Sequence, residues 1–208
     1  MFIVLLLFFS VFGLAEFLYK IKIPTYITRK VVHIGGGLVT ALLPYFVKLD
    51  GVIILGVGFF LLLLLSKRKK ILNSIHEVDH YSMGALLFAP SVIITALIFW
   101  PINTLVFQGA ILVLGLADGL AGIIGKRYGR NTYRIIGMKT IEGSLTFFLV
   151  TLLVLSGVLH SNHALSFDKV LILLGGSFFL TVVEAIFDKG WDNLFIPISA
   201  GTVLFFIL

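Results

Sequence analysis

The sequence predicts an all-α, polytopic membrane bundle of seven or eight transmembrane helices, and three observations carry that prediction. Of 208 residues 59% are apolar and only 12% charged, with a mean hydropathy of +1.12. A soluble domain is about 45–50% apolar and about 25% charged. The apolar residues gather into runs close to the ~20 residues that one bilayer crossing needs. Lys and Arg fall in alternate connections between those runs. With no cysteine a disulfide scaffold is excluded, and with so little charge so is disorder. The crossings leave only short loops, so residues 1–208 form a single integral membrane domain without room for a soluble catalytic unit.

The runs divide at charge clusters and at Gly, Pro and Asn. They predict helices near Phe2–Leu18, Val31–Phe46, Leu49–Leu65, Gly84–Trp100, Thr104–Ile124, Ile141–Leu159, Val170–Phe187 and Leu194–Leu208. The third and eighth are short, which sets the count at seven or eight. The first run is a span rather than a secretory leader: no basic residue precedes it, while Glu16, Lys20 and Lys22 follow.

Every Lys and Arg except Lys48 and Lys169 belongs to the connections after helices one, three, five and seven. The positive-inside rule then places the N-terminus outside and those connections in the cytoplasm. The net charge of +6 is a topology signal and not a nucleic-acid footprint. Every acid except Asp50 and Asp168 lies on the same side. Ionisable groups within a membrane are costly and functional by default, so the active site is expected on the cytoplasmic face.

Asp118 is the strongest candidate. It lies within helix five, followed by Gly119 and Gly122, and a lone carboxylate in apolar surroundings must be paired or bound to metal. The glycines also suit close helix packing. Beyond it, Lys126, Arg127, Arg130, Arg134 and Lys139 make a cationic stretch suited to a polyphosphate. Lys139-Thr140-Ile141-Glu142-Gly143-Ser144 then opens the next helix, whose first N–H groups also favour a phosphate. Arg29 and His33, four apart, share a helix face that could hold a phosphate or a lipid head. Glu184 lies one turn inside the seventh run, and Asp192-Asn193 stands where an N-cap belongs.

Standard nucleotide loops are missing. Gly125-Lys126 is followed by Arg127, with Leu120 where a Walker loop has Gly, and Gly56-Val57-Gly58 lacks a third glycine. His76-Glu77-Val78-Asp79-His80 matches the zinc-protease motif literally, but it follows four basic residues in a polar connection and lacks a third ligand. His160 and His163 fall in an outer loop.

Taken together, four elements resemble the CTP-dependent lipid kinase family that contains dolichol kinase, phytol kinase and CTP-dependent diacylglycerol kinase. They are Arg29-Lys30-x-x-His33; Ala117-Asp118-x-x-Ala121 with Gly125 and Gly129; Lys139-Thr140-x-Glu142-Gly143-Ser144; and Glu184 with Asp192-Asn193-Leu194 and Ile196-Pro197. Their order and spacing agree from Arg29 to the C-terminus, and the short chain is similar to the compact branch of the family.

The resemblance implies transfer of the γ-phosphoryl group of CTP, or UTP, with Mg²⁺, to the hydroxyl of a membrane isoprenoid alcohol or diacylglycerol. On that basis Asp118, Asp192 and Asn193 are the metal candidates. Lys126, Arg127, Lys139, Thr140, Gly143, Ser144, Arg29 and His33 are the phosphate candidates, with Asp118, Lys139, Glu142 and Glu184 catalytic; either glutamate is a candidate proton acceptor. The implied partners are a lipid alcohol, a nucleoside triphosphate and the bilayer, with self-association allowed and nucleic acid excluded. The alternatives are a CDP-lipid synthase, which shares the Lys-Thr-x-Glu-Gly element, and, more remotely, a metalloprotease built on His76 and His80. A transporter would place ionisable groups near the midplane in two repeated halves, and the sequence shows no repeat.

Overall fold

The computed structural model describes residues 1–69 and 83–208, with the side chains of 67–69 left aside. The His76–His80 motif lies outside the described residues. Among those described, eight helical rods form the bundle. They are α1 (Phe2–Lys20), α2 (Thr25–Ala41), α3 (Leu49–Lys69), α4 (Gly84–Phe99), a continuous rod from Thr104 to Tyr128, α7 (Ile141–Ser161), α8 (Val170–Ile186) and α9 (Asp192–Ile207). The long rod is α5 (Thr104–Leu112), a π-helical segment (Val113–Asp118) and α6 (Gly119–Tyr128). Five of the rods are long and apolar enough to cross a membrane.

Most boundaries fall within a few residues of the sequence expectation, with two corrections. The second helix does not begin at Val31. Pro24 fixes the turn before it and α2 starts at Thr25, so Arg29 and Lys30 are helical and not loop residues. It ends at Ala41 because Pro44 lies in a 3₁₀ turn, Leu43–Tyr45. The third helix, expected to be short, runs 21 residues.

The Thr104–Tyr128 rod is the centre. Of its spanning window 61% is buried, against 17–33% for the other four long helices. It packs on α2, α7 and α9, and α9 also packs on α4 and α8. The outer surfaces are apolar: Phe2, Leu171 and Phe206 are each about 80% exposed, as in a bundle whose solvent is hydrocarbon. The interior is apolar too, but it also admits small and polar residues such as Ser91, Thr95, Thr151 and Ser177, as membrane helix contacts do. Where α2 crosses the π segment, a Cβ on Gly37 would lie 2.7 Å from the Gly115 Cα. Two glycines are what let those backbones touch.

One element departs from the all-helical expectation. Between α6 and α7 the basic connection forms a small antiparallel hairpin, β1 (Thr132–Arg134) with β2 (Met138–Thr140). Tyr133 pairs with Lys139 across it. Thr140 then caps α7, its Oγ1 accepting from the Gly143 N–H at 3.1 Å.

Candidate active site

Asp118 ends the π segment, buried against α2. Its Oδ2 is 2.7 Å from Lys30 Nζ and 3.1 Å from His33 Nε2. Lys30 also donates to the Asp118 carbonyl at 3.1 Å, while His33 Nε2 lies 2.9 Å from the Leu114 carbonyl. Both neighbours of that nitrogen are acceptors, so Nε2 carries a proton. A π turn widens the helix by one residue and recurs at functional sites; here it presents Asp118 and the Leu114 carbonyl to one imidazole. Gly122 lies a turn further on, and a Cβ there would overlap Lys30 Cε. The missing side chain is the space through which Lys30 reaches Asp118.

A second ion pair closes the same region. Lys139, delivered by β2, is 2.5 Å from Glu184 Oε1 on α8. The side chains are 15% and 6% exposed. Burial works against the Lys139 ammonium, but the Glu184 carboxylate, helped by Asp192 and Asp118, outweighs it and holds the pKa above the ordinary lysine value of 10.5. Glu184 Oε2 is buried with no hydrogen-bond partner among the described residues. Asp118, Glu184 and Asp192 are close enough for their charges to act on one another, with Lys30 paired to Asp118 and Lys139 to Glu184.

The start of α9 is pinned to the start of α4. Asn193 Nδ2 donates to the Gly84 carbonyl at 2.7 Å, and the Asn193 N–H is 2.9 Å from Asp192 Oδ1. Gly190 makes this possible: its φ of +100° is ordinary for glycine alone, and a Cβ would overlap the Gly84 backbone. The Arg29 guanidinium lies against the same face of Gly84, 2.8 Å from where a Cβ would stand. Arg29, Lys30, His33, Asp118, Asp192 and Asn193 thus form the polar end of a pocket whose remaining walls are largely apolar side chains of α1 to α4.

Other sequence candidates serve elsewhere. Glu142 Oε1 accepts from the backbone N–H groups of Arg130 and Asn131 at 3.0 and 3.3 Å, and from Asn131 Nδ2 at 3.3 Å. It anchors the approach to the hairpin. Ser144 Oγ is 2.6 Å from the Tyr133 hydroxyl, and Gly143 packs so closely that a Cβ there would lie 2.9 Å from Thr140 Oγ1 and 3.3 Å from the Gly125 Cα. Lys126 is exposed and lies over the Tyr26 ring, 4.7 Å from its centroid; Arg127 lies over Tyr128 at 5.4 Å. Sequence reasoning missed Lys30, having paired Arg29 with His33. The signal was present, since Lys30 and His33 are three apart and share a face as well.

Among the described residues no three His, Asp or Glu side chains stand close enough to hold a metal by themselves. Asp118 and Asp192, both at the pocket, are the oxygen donors that could share a hard cation with a bound ligand.

Fold and site together define a membrane-type helical protein with a charged centre at the head of an apolar pocket. Over 196 residues the chain is 32% identical to a phytol kinase of Synechocystis sp., covering 91% of this chain and 83% of that protein. It is also 28% identical over 137 residues to probable phytol kinase 1, chloroplastic, of Glycine max, covering 59% of this chain and 43% of that one. No family model and no solved structure matches it. The chain belongs to the phytol kinase family of lipid kinases.

Proposed function

We propose that this protein is a multi-pass membrane enzyme that transfers the γ-phosphoryl group of CTP, or of UTP, to the hydroxyl of an isoprenoid alcohol of the phytol type. The observation that carries the proposal is the meeting of Lys30, Asp118 and Asp192 at one end of an apolar pocket, with the Lys139–Glu184 pair within charge reach of them. The relatives act, by their names, as phytol kinases. The basic end of the bundle faces the cytoplasm, where the nucleotide is.

Phosphoryl transfer asks a protein for positioning and charge neutralisation more than for covalent chemistry. Asp118 and Asp192 would hold a Mg²⁺ ion, which would supply positive charge to neutralise the phosphates. Lys139, held charged by Glu184, faces the transferring group from the hairpin side. Lys30 and His33 fix the Asp118 carboxylate in one orientation. The acceptor oxygen bonds to the γ-phosphorus while the bond from that phosphorus to the β–γ bridging oxygen breaks. The nucleoside diphosphate leaves, and the hydroxyl proton passes through water to Glu184, the glutamate of the charged cluster. Glu142, occupied by the Arg130–Asn131 backbone, stabilises the hairpin that carries Lys139.

The test is a donor competition in nanodiscs with Mg²⁺, offering phytol together with CTP, UTP, ATP or GTP. Phytyl phosphate forms with CTP or UTP and not with the purine nucleotides. Equal use of ATP overturns the donor assignment, and no product from any donor overturns the kinase assignment for this acceptor.

A further inference from the structure

The apolar pocket has a shape that the charged site alone does not require. In this bundle α1 packs along α2 and α3 along α4, and the pocket is the cleft between these two pairs. Aromatic contacts bridge it. Phe59 of α3 meets Phe8 and Phe12 of α1 at centroid distances of 4.5 and 5.9 Å, and Phe88 of α4 meets the His33 ring edge-on at 5.3 Å. All of these residues line the pocket. Along α2 the lining runs from Arg29 and Lys30 through His33, Gly36 and Thr40 to Leu43. Thirteen helical steps from Lys30 to Leu43 make a cleft about 20 Å long. Its charges all lie at the Lys30 end; the far end is closed by Leu43 and Val52.

We propose that this cleft is the acceptor-tail site, and that it takes one extended apolar chain with the hydroxyl at Lys30 and Asp118 and the tail lying along α2 beneath Phe8, Phe12 and Phe59. The inference rests on the assignment of the charged end to phosphoryl transfer. Polar groups at one end only, in continuity with that site, suit an alcohol with a single tail. Phe59 touches Phe8 and Phe12 across the cleft, a constriction that favours one chain over two. The acceptor class is therefore a single-chain primary alcohol such as phytol or farnesol, in preference to diacylglycerol.

Gly36 is the place to test it. A Cβ there would meet only the Phe88 ring, at 3.9 Å, an ordinary contact. A larger side chain must extend into the cleft, about 9 Å from Lys30 by six helical steps. Leucine is also a better helix former than glycine, so G36L should fold. G58L is the control, because Gly58 is exposed and a Cβ there meets nothing within 4 Å.

The experiment compares wild type, G36L and G58L on phytol, farnesol, a five-carbon prenyl alcohol and diacylglycerol. In parallel, a farnesol analogue bearing a diazirine at its tail is photocrosslinked and the labelled peptides are mapped. A misfit of one methylene in an apolar site is worth about 10–200-fold in selectivity. G36L therefore lowers kcat/KM for phytol relative to the five-carbon alcohol by at least tenfold, while G58L keeps the wild-type ratio. The label falls on Leu55, Phe59 or Thr40 in wild type and is lost in G36L. A G36L ratio within threefold of wild type, turnover of diacylglycerol equal to that of phytol, or label spread over the outer faces of α7 and α8 would each overturn the proposal. If wild type phosphorylates no alcohol, the kinase assignment falls, and the crosslinking map alone decides the cleft.

Discussion

Replacing Lys139 with Met leaves Glu184 without the ammonium that holds its Oε1 at 2.5 Å. The other carboxylate oxygen has no partner among the described residues, and the side chain is only 6% exposed. Water therefore replaces the lysine only if α7, α8 and the hairpin part. Breaking a buried pair from one side costs about 3–5 kcal/mol. Lys139 keeps 15% of its side chain exposed, which places K139M near the lower bound, about 3 kcal/mol. Glu184→Gln in the same background removes the stranded charge while keeping the shape. The double variant should recover about 2 kcal/mol of the sum of the two single losses, within the range seen for contacting residues. The assay is reversible unfolding in mixed micelles with a denaturing detergent, followed by the fluorescence of Trp100 and Trp191. Single losses that add within about 0.5 kcal/mol would refute the idea that hairpin and α8 are held together by this pair.

Further outcomes follow from the same geometry. Asp118→Asn keeps the fold, since an amide can still accept from Lys30 and His33, but lowers kcat at least about a hundredfold by removing a carboxylate from the reacting end; circular dichroism and a turnover assay check both halves. Glu142→Ala releases the Arg130 and Asn131 N–H groups to water and raises KM for the nucleotide more than it lowers kcat, because the hairpin that carries Lys139 loosens; steady-state kinetics at varied nucleotide check it. Gly37→Val sets a side chain against the Gly115 backbone and destabilises by about 1–3 kcal/mol or more through overpacking, read as a lower unfolding midpoint. Chelation by EDTA abolishes transfer and added Mg²⁺ restores it, with the unfolding midpoint of the nucleotide-free protein unchanged.

The helices were legible because hydrocarbon leaves the chain few options: backbone groups must be satisfied within each span, so long apolar runs punctuated by charge read directly as rods. The α2 boundary was misplaced for the reason that makes it important. Arg29 and Lys30 were read as ending a connection, because charge is seldom found on a spanning helix, yet both turn toward the pocket. The π segment left no local trace. Val113–Asp118 is as apolar as the helix before it, and its widened turn is fitted to the contact of Gly115 with Gly37, far away in sequence. The hairpin was hidden by its length, since three-residue strands carry no period to detect. At the site, Asp118 and Glu184 stood out by the cost of burying a carboxylate. The partners that meet that cost, Lys30 and Lys139, come from 88 and 45 residues away, a pairing that only the fold reveals. Gly122 was visible as a small residue facing a neighbour; that the neighbour is the Lys30 stem was not.

The central claim is that the charged end of the cleft moves a γ-phosphoryl group onto an alcohol. The most direct measurement supplies γ-labelled or α-labelled CTP, with Mg²⁺, to purified protein in nanodiscs containing phytol and phosphatidic acid. Label from the γ position in phytyl phosphate, with none from the α position in lipid, is the predicted result. Label from the α position in phosphatidic acid would contradict it and assign the same site to nucleotidyl transfer.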